Sequence, residues 1–145
     1  MTLVRMVLAV AAVLLPMQVM AQARPTNPLQ DTAWQLVRFQ GGSDNIRTPP
    51  MPDLYTIEFS ASGEVAVRLD CNNGKGTWRS PMPGQIELGP LALEGPGCGR
   101  GSLHDLMVRQ WKSIQTYRMR DGHLLLSLAG DAAIYEFEPR TTRGR

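Results

Sequence analysis

Apolar and polar residues alternate over several short stretches of this chain, a pattern that is typical of half-buried β-strands. The clearest stretches are residues 55–59 and 64–71, in which apolar side chains recur at every second position. Ala61, Ser62 and Gly63 lie between them and predict a short turn. Together, the two stretches predict a β-hairpin.

Similar signals on both sides of this hairpin predict further strands. Residues 32–39 are rich in aromatic and branched side chains, and residues 85–93 predict one or two short strands interrupted at Gly89 and Pro90. Asparagine and glycine at positions 72–76 predict a turn, and the glycine-rich residues 95–101 predict a loop. The remaining predicted strands are residues 77–79, 117–120, 123–128 and 132–138.

One segment has the periodicity of an amphipathic helix, residues 103–117. Ser102 is a plausible N-cap, and Asp105 lies where an acidic residue favours the start of a helix. The apolar stripe that should face the sheet consists of Leu103, Leu106, Met107, Trp111, Ile114 and Tyr117.

Seven or eight short strands with one helix among them predict an α+β fold. We expect an antiparallel β-sheet curled into a partial barrel around the amphipathic helix, because closure would protect the edges of the sheet. The pattern does not distinguish a closed barrel from an open curved sheet.

The N-terminal residues predict export. Residues 1–23 combine one positive charge, an apolar run and small residues that allow cleavage after Ala21 or Ala23, as in a secretory signal peptide. The apolar run is too short for a membrane anchor, and we expect a periplasmic or secreted protein. Beyond the signal peptide, we expect a flexible leader at 24–30, one domain at 31–139 and a disordered basic tail at 140–145.

Charge argues against nucleic acid as a partner. The chain has a formal net charge of +2, but several of its arginines lie in the signal peptide and in the tail. The tail arginines Arg140, Arg143 and Arg145 could contact anionic lipid weakly, although a solvated tail is the simpler interpretation. A basic surface that would bind nucleic acid is therefore not predicted.

Cys71 and Cys98 are the two cysteines of the chain. An even pair in an exported protein favours a disulfide. A metal pair, a catalytic thiol and two free buried thiols remain as alternatives, but neither cysteine lies in a C-x-x-C motif.

The other candidate residues have simpler structural interpretations. His104 is expected at the edge of the helix stripe with one face packed, and His123 is expected at the end of a hairpin. Without a nucleophile motif or a metal motif near them, we expect no enzyme activity, metal or cofactor. The residues Asn72, Asn73, Gly74, Gly76 and Trp78 are interpreted as a structural turn, with a ligand-binding loop as the alternative.

The residues Cys71, Asn72, Gly76 and Trp78 resemble the Cys-Asn-x-x-x-Gly-x-aromatic motif of the META/HslJ family. An early tryptophan strand, a second cysteine before a helix and a final hairpin with Tyr135 and Phe137 also fit this family. The chain departs from the usual Thr-x-Met-x-Cys pattern at residues 94–98, where it has neither the Thr nor the Met.

The resemblance implies a cracked or curled barrel in the cell envelope, linked in some members to stress responses and antibiotic tolerance. We therefore expect a non-enzymatic domain that binds an envelope protein or a small apolar ligand, the latter in a groove between sheet and helix. A secreted inhibitor or adhesin-like module and a small hydrolase are the alternative functions.

Overall fold

The computed structural model describes residues 26–141. This part of the chain contains one α-helix, three single-turn 3-10 helices at Pro52–Leu54, Trp111–Ser113 and Ala129–Asp131, and ten strands. In chain order the elements are β1 (Thr32–Gly41), β2 (Ile46–Arg47), β3 (Tyr55–Phe59), β4 (Glu64–Leu69), β5 (Asn72–Arg79), β6 (Glu87–Leu88), β7 (Ala92–Leu93), α1 (His104–Gln110), β8 (Ile114–Arg120), β9 (His123–Leu128) and β10 (Ala133–Pro139).

Eight of the strands form a nearly closed antiparallel barrel. Their order is β6-β5-β4-β3-β1-β10-β9-β8, while β2 pairs with β1 and β7 pairs with β5. The first and last strands approach each other through the bridge between Gln85 and Thr116, beside a hydrogen bond from Ile86 N–H to the Gln115 carbonyl at 3.0 Å. The prediction of an α+β fold with a partial barrel is confirmed.

Side chains from all sides of the barrel fill its interior. Phe39 and Tyr135 lie with their ring centroids 4.8 Å apart, and Phe59 and Trp78 form an edge-to-face pair at 5.1 Å. The Tyr135 hydroxyl donates to Gln110 Oε1 at 2.6 Å, which ties β10 to α1, and burial raises the pKa of this tyrosine well above its ordinary value. Burial of these aromatic and aliphatic groups is the main stabilising contribution to the barrel.

The helix is shorter than predicted. It ends at Gln110, a 3-10 turn follows, and Ile114 begins β8. Ile114 and Tyr117 are both buried because a register irregularity after Ile114 lets residues three apart face the same side of a strand. Residues three apart also share a face of a helix, and for this reason the sequence pattern predicted a helix that continued to residue 117.

The remainder of the predicted stripe behaves as expected, with one exception. Leu103, Met107 and Trp111 belong to the core, whereas Leu106 is only partly buried. Leu103 occupies the N-cap position, and the Ser102 hydroxyl instead accepts a hydrogen bond from His104 N–H at 3.1 Å.

The predicted turn at 72–76 was wrong, because these residues belong to strand β5. The chain reverses directly before β5, at Asp70 and Cys71. Asp70 there takes the left-handed backbone conformation with φ of 60°. Aspartate tolerates this region better than most residues. The glycines of β5 serve close packing, not chain reversal.

The ends of the domain also differ from expectation. Leu29 is fully buried and its N–H donates to Asn27 Oδ1 at 2.9 Å, so residues 27–30 belong to the packed domain and not to a flexible leader. Arg140 N–H donates to the Ala33 carbonyl at 2.8 Å, so the predicted tail begins attached to β1. The signal peptide 1–23, residues 24–25 and residues 142–145 lie outside the described part of the chain. Across residues 26–141, no helix is long and apolar enough to cross a membrane.

Gly76 lets the segment between β6 and β7 approach β5. A Cβ atom at this position would lie 2.8 Å from the Pro90 carbonyl oxygen and 3.3 Å from the Leu91 side chain. The first of these distances is shorter than real Cβ contacts, and the obstructing atom belongs to the backbone. Gly76 is therefore required for the close approach of these two segments.

We expect the Gly76→Ala substitution to lower the free energy of unfolding by about 1–3 kcal/mol, because the Pro90 backbone must move. Urea unfolding of the oxidised protein measures this loss. Gly99→Ala is the matched control, since a Cβ at Gly99 meets no atom within 4 Å. Equal losses in the two variants would contradict the packing role of Gly76.

Candidate functional site

A disulfide joins Cys71 to Cys98, with an S–S distance of 2.08 Å and a Cα–Cα distance of 5.8 Å. It links the turn between β4 and β5 to the loop that leads into α1. The Cα separation lies within the ordinary range for disulfides. The structure therefore contains the cross-link that the cysteine count favoured.

Next to the disulfide, the side chain of Asn72 is 5% exposed and connects three segments. Its amide nitrogen donates to the Pro96 carbonyl and also lies 3.2 Å from His104 Nε2. A side-chain amide carries two hydrogens, and both are used here. Asn72 thus binds the start of β5 both to the loop and to the first residue of α1.

His104 lies deeper than the stripe-edge position expected from the sequence, since it is only 5% exposed. Its Nε2 accepts from Asn72, which leaves Nδ1 to carry the proton and donate to Asp105 Oδ1 at 2.8 Å. Both ring nitrogens are therefore occupied. In this arrangement the ring has no nitrogen available to accept a proton from a nucleophile.

His123 forms a different cluster on the other side of the barrel. Its Nδ1 lies 2.8 Å from Glu136 Oε1, and Arg38 forms an ion pair with the same carboxylate at 2.6 Å. Burial alone would raise the pKa of Glu136, but the bonds from His123 and Arg38 outweigh burial and hold this pKa below its ordinary value of 4.5. Neither His104 nor His123 lines any of five hollows on the described part of the surface.

The hollows lie on the outer surface of the barrel, not between the sheet and the helix. The first, of about 540 Å³, lies over β3, β4, β5 and β7, and Asn73, Glu94 and Arg140 are among its lining residues. The second, also of about 540 Å³, lies over β1, β3 and β4, where Asp31 and Glu64 contribute to its lining. Both hollows share Glu58, Ala66 and Arg140, so they form one continuous surface, which we call the outer groove.

Strand register places the polar side chains of the outer groove in rows. Thr56 pairs with Arg68 and Arg68 pairs with Asn73, which forms one row across β3, β4 and β5. In the next row, Glu58 pairs with Ala66 and Ala66 pairs with Lys75. Since alternate residues of a strand share a face, these outward residues stand opposite the buried core residues.

Ion pairs link several of these charges. Arg140 Nη1 lies 3.0 Å from Glu58 Oε1 across the middle of the outer groove, and Lys75 Nζ lies 3.3 Å from Glu64 Oε1. All four side chains are substantially exposed, and such surface pairs contribute about 0–1 kcal/mol each. They can therefore rearrange at little cost when another charged group approaches.

Another hollow, of about 640 Å³, lies between β6 and β8 and is lined by Gln85, Glu87, Lys112 and their neighbours. It covers the point where the barrel closes with few hydrogen bonds. Because Ile86, Leu88 and Ile114 on its floor are themselves buried, this hollow is a shallow depression above the core.

The residues selected from the sequence lie in different places. Asn73 and Gly74 line the outer groove. Asn72 and Trp78 are buried, and Gly76 faces the segment between β6 and β7. Of the charged residues of the groove, only Arg140 was named from the sequence, as a possible contact of the tail with lipid. Alternation with core residues marked Glu58, Glu64 and Arg68 as outward-facing, whereas Asp31, Lys75 and Glu94 carried no such signal.

Comparison with known proteins shows one family. The family model described as META domain matches residues 27–140. A protein from Burkholderia xenovorans, solved by NMR, has 20% sequence identity and a TM-score of 0.64, with coverage of 88% of this chain and 99% of that chain. A crystal structure of a DUF4847 family protein from Bacteroides vulgatus has 14% identity and a TM-score of 0.56, covering 77% and 94% of the two chains. At these identities the two structures support the fold alone, and no curated protein matches the chain.

We expect Asn72→Leu to lower the free energy of unfolding by about 1–3 kcal/mol, because the buried His104 Nε2 loses its donor and the Pro96 carbonyl loses the hydrogen bond that holds its loop. Urea unfolding under oxidising conditions measures the loss. Asn73→Leu is the control at the next, exposed position and should change stability by less than about 0.5 kcal/mol. An Asn72→Leu protein as stable as the unsubstituted chain would refute the bridging role.

The lowered pKa of Glu136 predicts a pH-dependent contribution to stability. A carboxyl with a lowered folded-state pKa stabilises the protein above its unfolded-state pKa, and this contribution is lost as pH falls through the folded-state value. Glu136→Gln should therefore be about 1 kcal/mol less stable at pH 7, with the difference shrinking as pH falls below the ordinary pKa of 4.5. Urea unfolding at several pH values tests this, with Glu94→Gln as the exposed control. A difference that does not change with pH would contradict it.

Proposed function

The chain belongs to the META domain family, and on this basis we propose that it is an exported, non-enzymatic domain that binds an envelope protein. Its role would be to support the cell envelope under stress, including exposure to antibiotics. The outer groove is the binding site in this proposal, and its continuity over four strands of the barrel is the observation that carries it.

Export is supported by two independent features. Residues 1–23 have the charge, apolar run and small residues of a signal peptide. The disulfide between Cys71 and Cys98 is chemically suited to an oxidising compartment, since cytosolic proteins keep their thiols reduced. A periplasmic or secreted location is therefore proposed for the mature domain.

A protein partner is favoured over a small apolar ligand. The interior of the barrel is occupied by large side chains, among which Tyr135, Phe39, Phe59 and Phe137 are fully buried. The outer groove is lined by charges of both signs, which match a polar polypeptide better than an apolar small molecule.

The arrangement of the histidines supports a binding role over a small hydrolase. His104 uses both ring nitrogens in structural hydrogen bonds, and His123 binds Glu136 away from the hollows. We propose no metal or cofactor, and the residues that the structure describes include no cluster of potential metal ligands.

Site-specific photo-crosslinking in intact cells of the native host tests the proposal. A benzoyl-phenylalanine at Ala66, on the floor of the outer groove, should yield a discrete adduct with an envelope protein. The same group at Gln40, an exposed position of β1 outside the hollows, should yield none. Mass spectrometry of the adduct identifies the partner and also the mature N-terminus.

The outcomes separate the alternatives. An adduct with a protein of the culture medium would favour the secreted inhibitor or adhesin-like module instead. Equal labelling from Ala66 and Gln40, or a mature protein that retains residues 1–23 in the cytoplasm, would refute the proposed function.

A further inference from the structure

We propose that the outer groove binds an extended peptide segment of its partner that carries an acidic and a basic side chain four residues apart. This inference rests on the proposed function and specifies the chemistry of the ligand. It follows from the unequal distribution of charge along strand β4, whose outward side chains include Glu64 at its start and Arg68 near its end.

The end of the outer groove near Arg68 is suited to a carboxylate. Arg68 and Asn73 are exposed neighbours in one cross-strand row, whose third member, Thr56, is only 5% exposed. Arg68 Nε donates to the Asp70 carbonyl at 3.2 Å, which orients the guanidinium while leaving its terminal nitrogens free to bind. An exposed guanidinium with a neighbouring side-chain amide is a favourable site for a carboxylate.

The opposite end is acidic. Asp31, Glu58 and Glu64 line the second hollow, in which Arg140 is the sole cationic lining residue among those described. Glu64 also pairs with the exposed Lys75 at 3.3 Å, and this pair can open when a charged ligand approaches. Asp31 Oδ1 accepts from Ala61 N–H at 2.9 Å, so this carboxylate is held in place beside the turn between β3 and β4. A lysine or arginine of the ligand would be attracted to this end.

The separation of the two ends matches an extended chain. Glu64 and Arg68 are four residues apart on one strand and face the same side, which corresponds to about 13 Å. Two side chains four residues apart in an extended peptide have the same separation and also share one face. An acid and a base at this spacing can therefore engage both ends at once.

The middle of the outer groove can admit a peptide backbone. Ala33 and Ala66 carry small side chains, and Glu58 and Arg140 above them form an exposed ion pair that can open at little cost. A second copy of this chain would present another outward-curving barrel surface, which fits a hollow less well than a single extended strand does. We therefore assign a peptide segment as the occupant.

NMR titration of the oxidised protein with a capped nine-residue peptide tests this assignment. The peptide has Asp at position 3 and Lys at position 7 in a Gly/Ser/Thr background, and the backbone amide signals of Ala66 and Asn73 report binding. We expect the Asp/Lys peptide to bind at least tenfold more tightly than the Asp/Asp, Lys/Lys and neutral Asn/Gln peptides. Increasing salt should weaken this binding.

A charge reversal in the protein gives a sharper test. The Arg68→Glu protein should bind the Asp/Lys peptide at least tenfold more weakly than the unsubstituted protein does. It should instead prefer the Lys/Lys peptide, because both ends of the outer groove are then acidic. Arg120→Glu makes the same change in net charge at an exposed position of β8 and should leave the affinity unchanged.

The inference would be overturned if no peptide shifted the amide signals of Ala66 and Asn73, or if all the peptides bound equally tightly. It would also be overturned if the same signals moved with protein concentration in the absence of peptide, which would indicate self-association. If the crosslink at Ala66 still captures an envelope protein in any of these cases, the proposed function stands and only the ligand chemistry is wrong. If crosslinking also fails, both proposals fall.

Discussion

The buried amide of Asn72 is the interaction on which the rest of this domain depends. It connects the start of β5 with the Pro96 carbonyl and the His104 ring, which are far away in sequence. The neighbouring disulfide constrains the same region covalently, and it acts mainly on the unfolded chain. The amide acts on the folded state, because losing it would leave the buried His104 Nε2 without a donor and would release the loop at Pro96. Together they hold the loop and α1 against the end of the barrel.

This attachment also shapes the outer surface. The backbone N–H of Glu94 donates to the Asn73 carbonyl at 2.9 Å, so the chain that leaves β7 follows the start of β5. Ala92, Leu93 and Glu94 thereby form one wall of the outer groove. The residues of the Cys-Asn-x-x-x-Gly-x-aromatic motif thus help to position this wall. The side chains that a partner can contact belong to other positions, which the motif does not include.

Alternation along β3 and β4 was sufficient to predict their inward faces, because an apolar side chain at every second position is typical of a half-buried strand. The bounds of β3 were also predicted, whereas β4 ends at Leu69, two residues before the end of the predicted stretch. The helix and the first turn were less predictable. Ile114 and Tyr117 have a spacing that fits both a helix and a strand with an irregular register, so local pattern could not choose between them. Asparagine and glycine at 72–76 suggested a turn, but pairing with β4 and β7 over-rides local preference.

The sequence by itself determined the fold class, the inward residues of most strands and the family of this protein, because periodicity and the spacing of Cys71, Asn72, Gly76 and Trp78 are local properties. The tertiary structure decided how those residues act and where a ligand could bind. The outer groove joins charges from β3, β4 and β5 with others from the chain before β1, after β7 and after β10, and their proximity depends on strand order and register. Strand order is set by contacts between distant segments, and a linear pattern of side chains does not contain it.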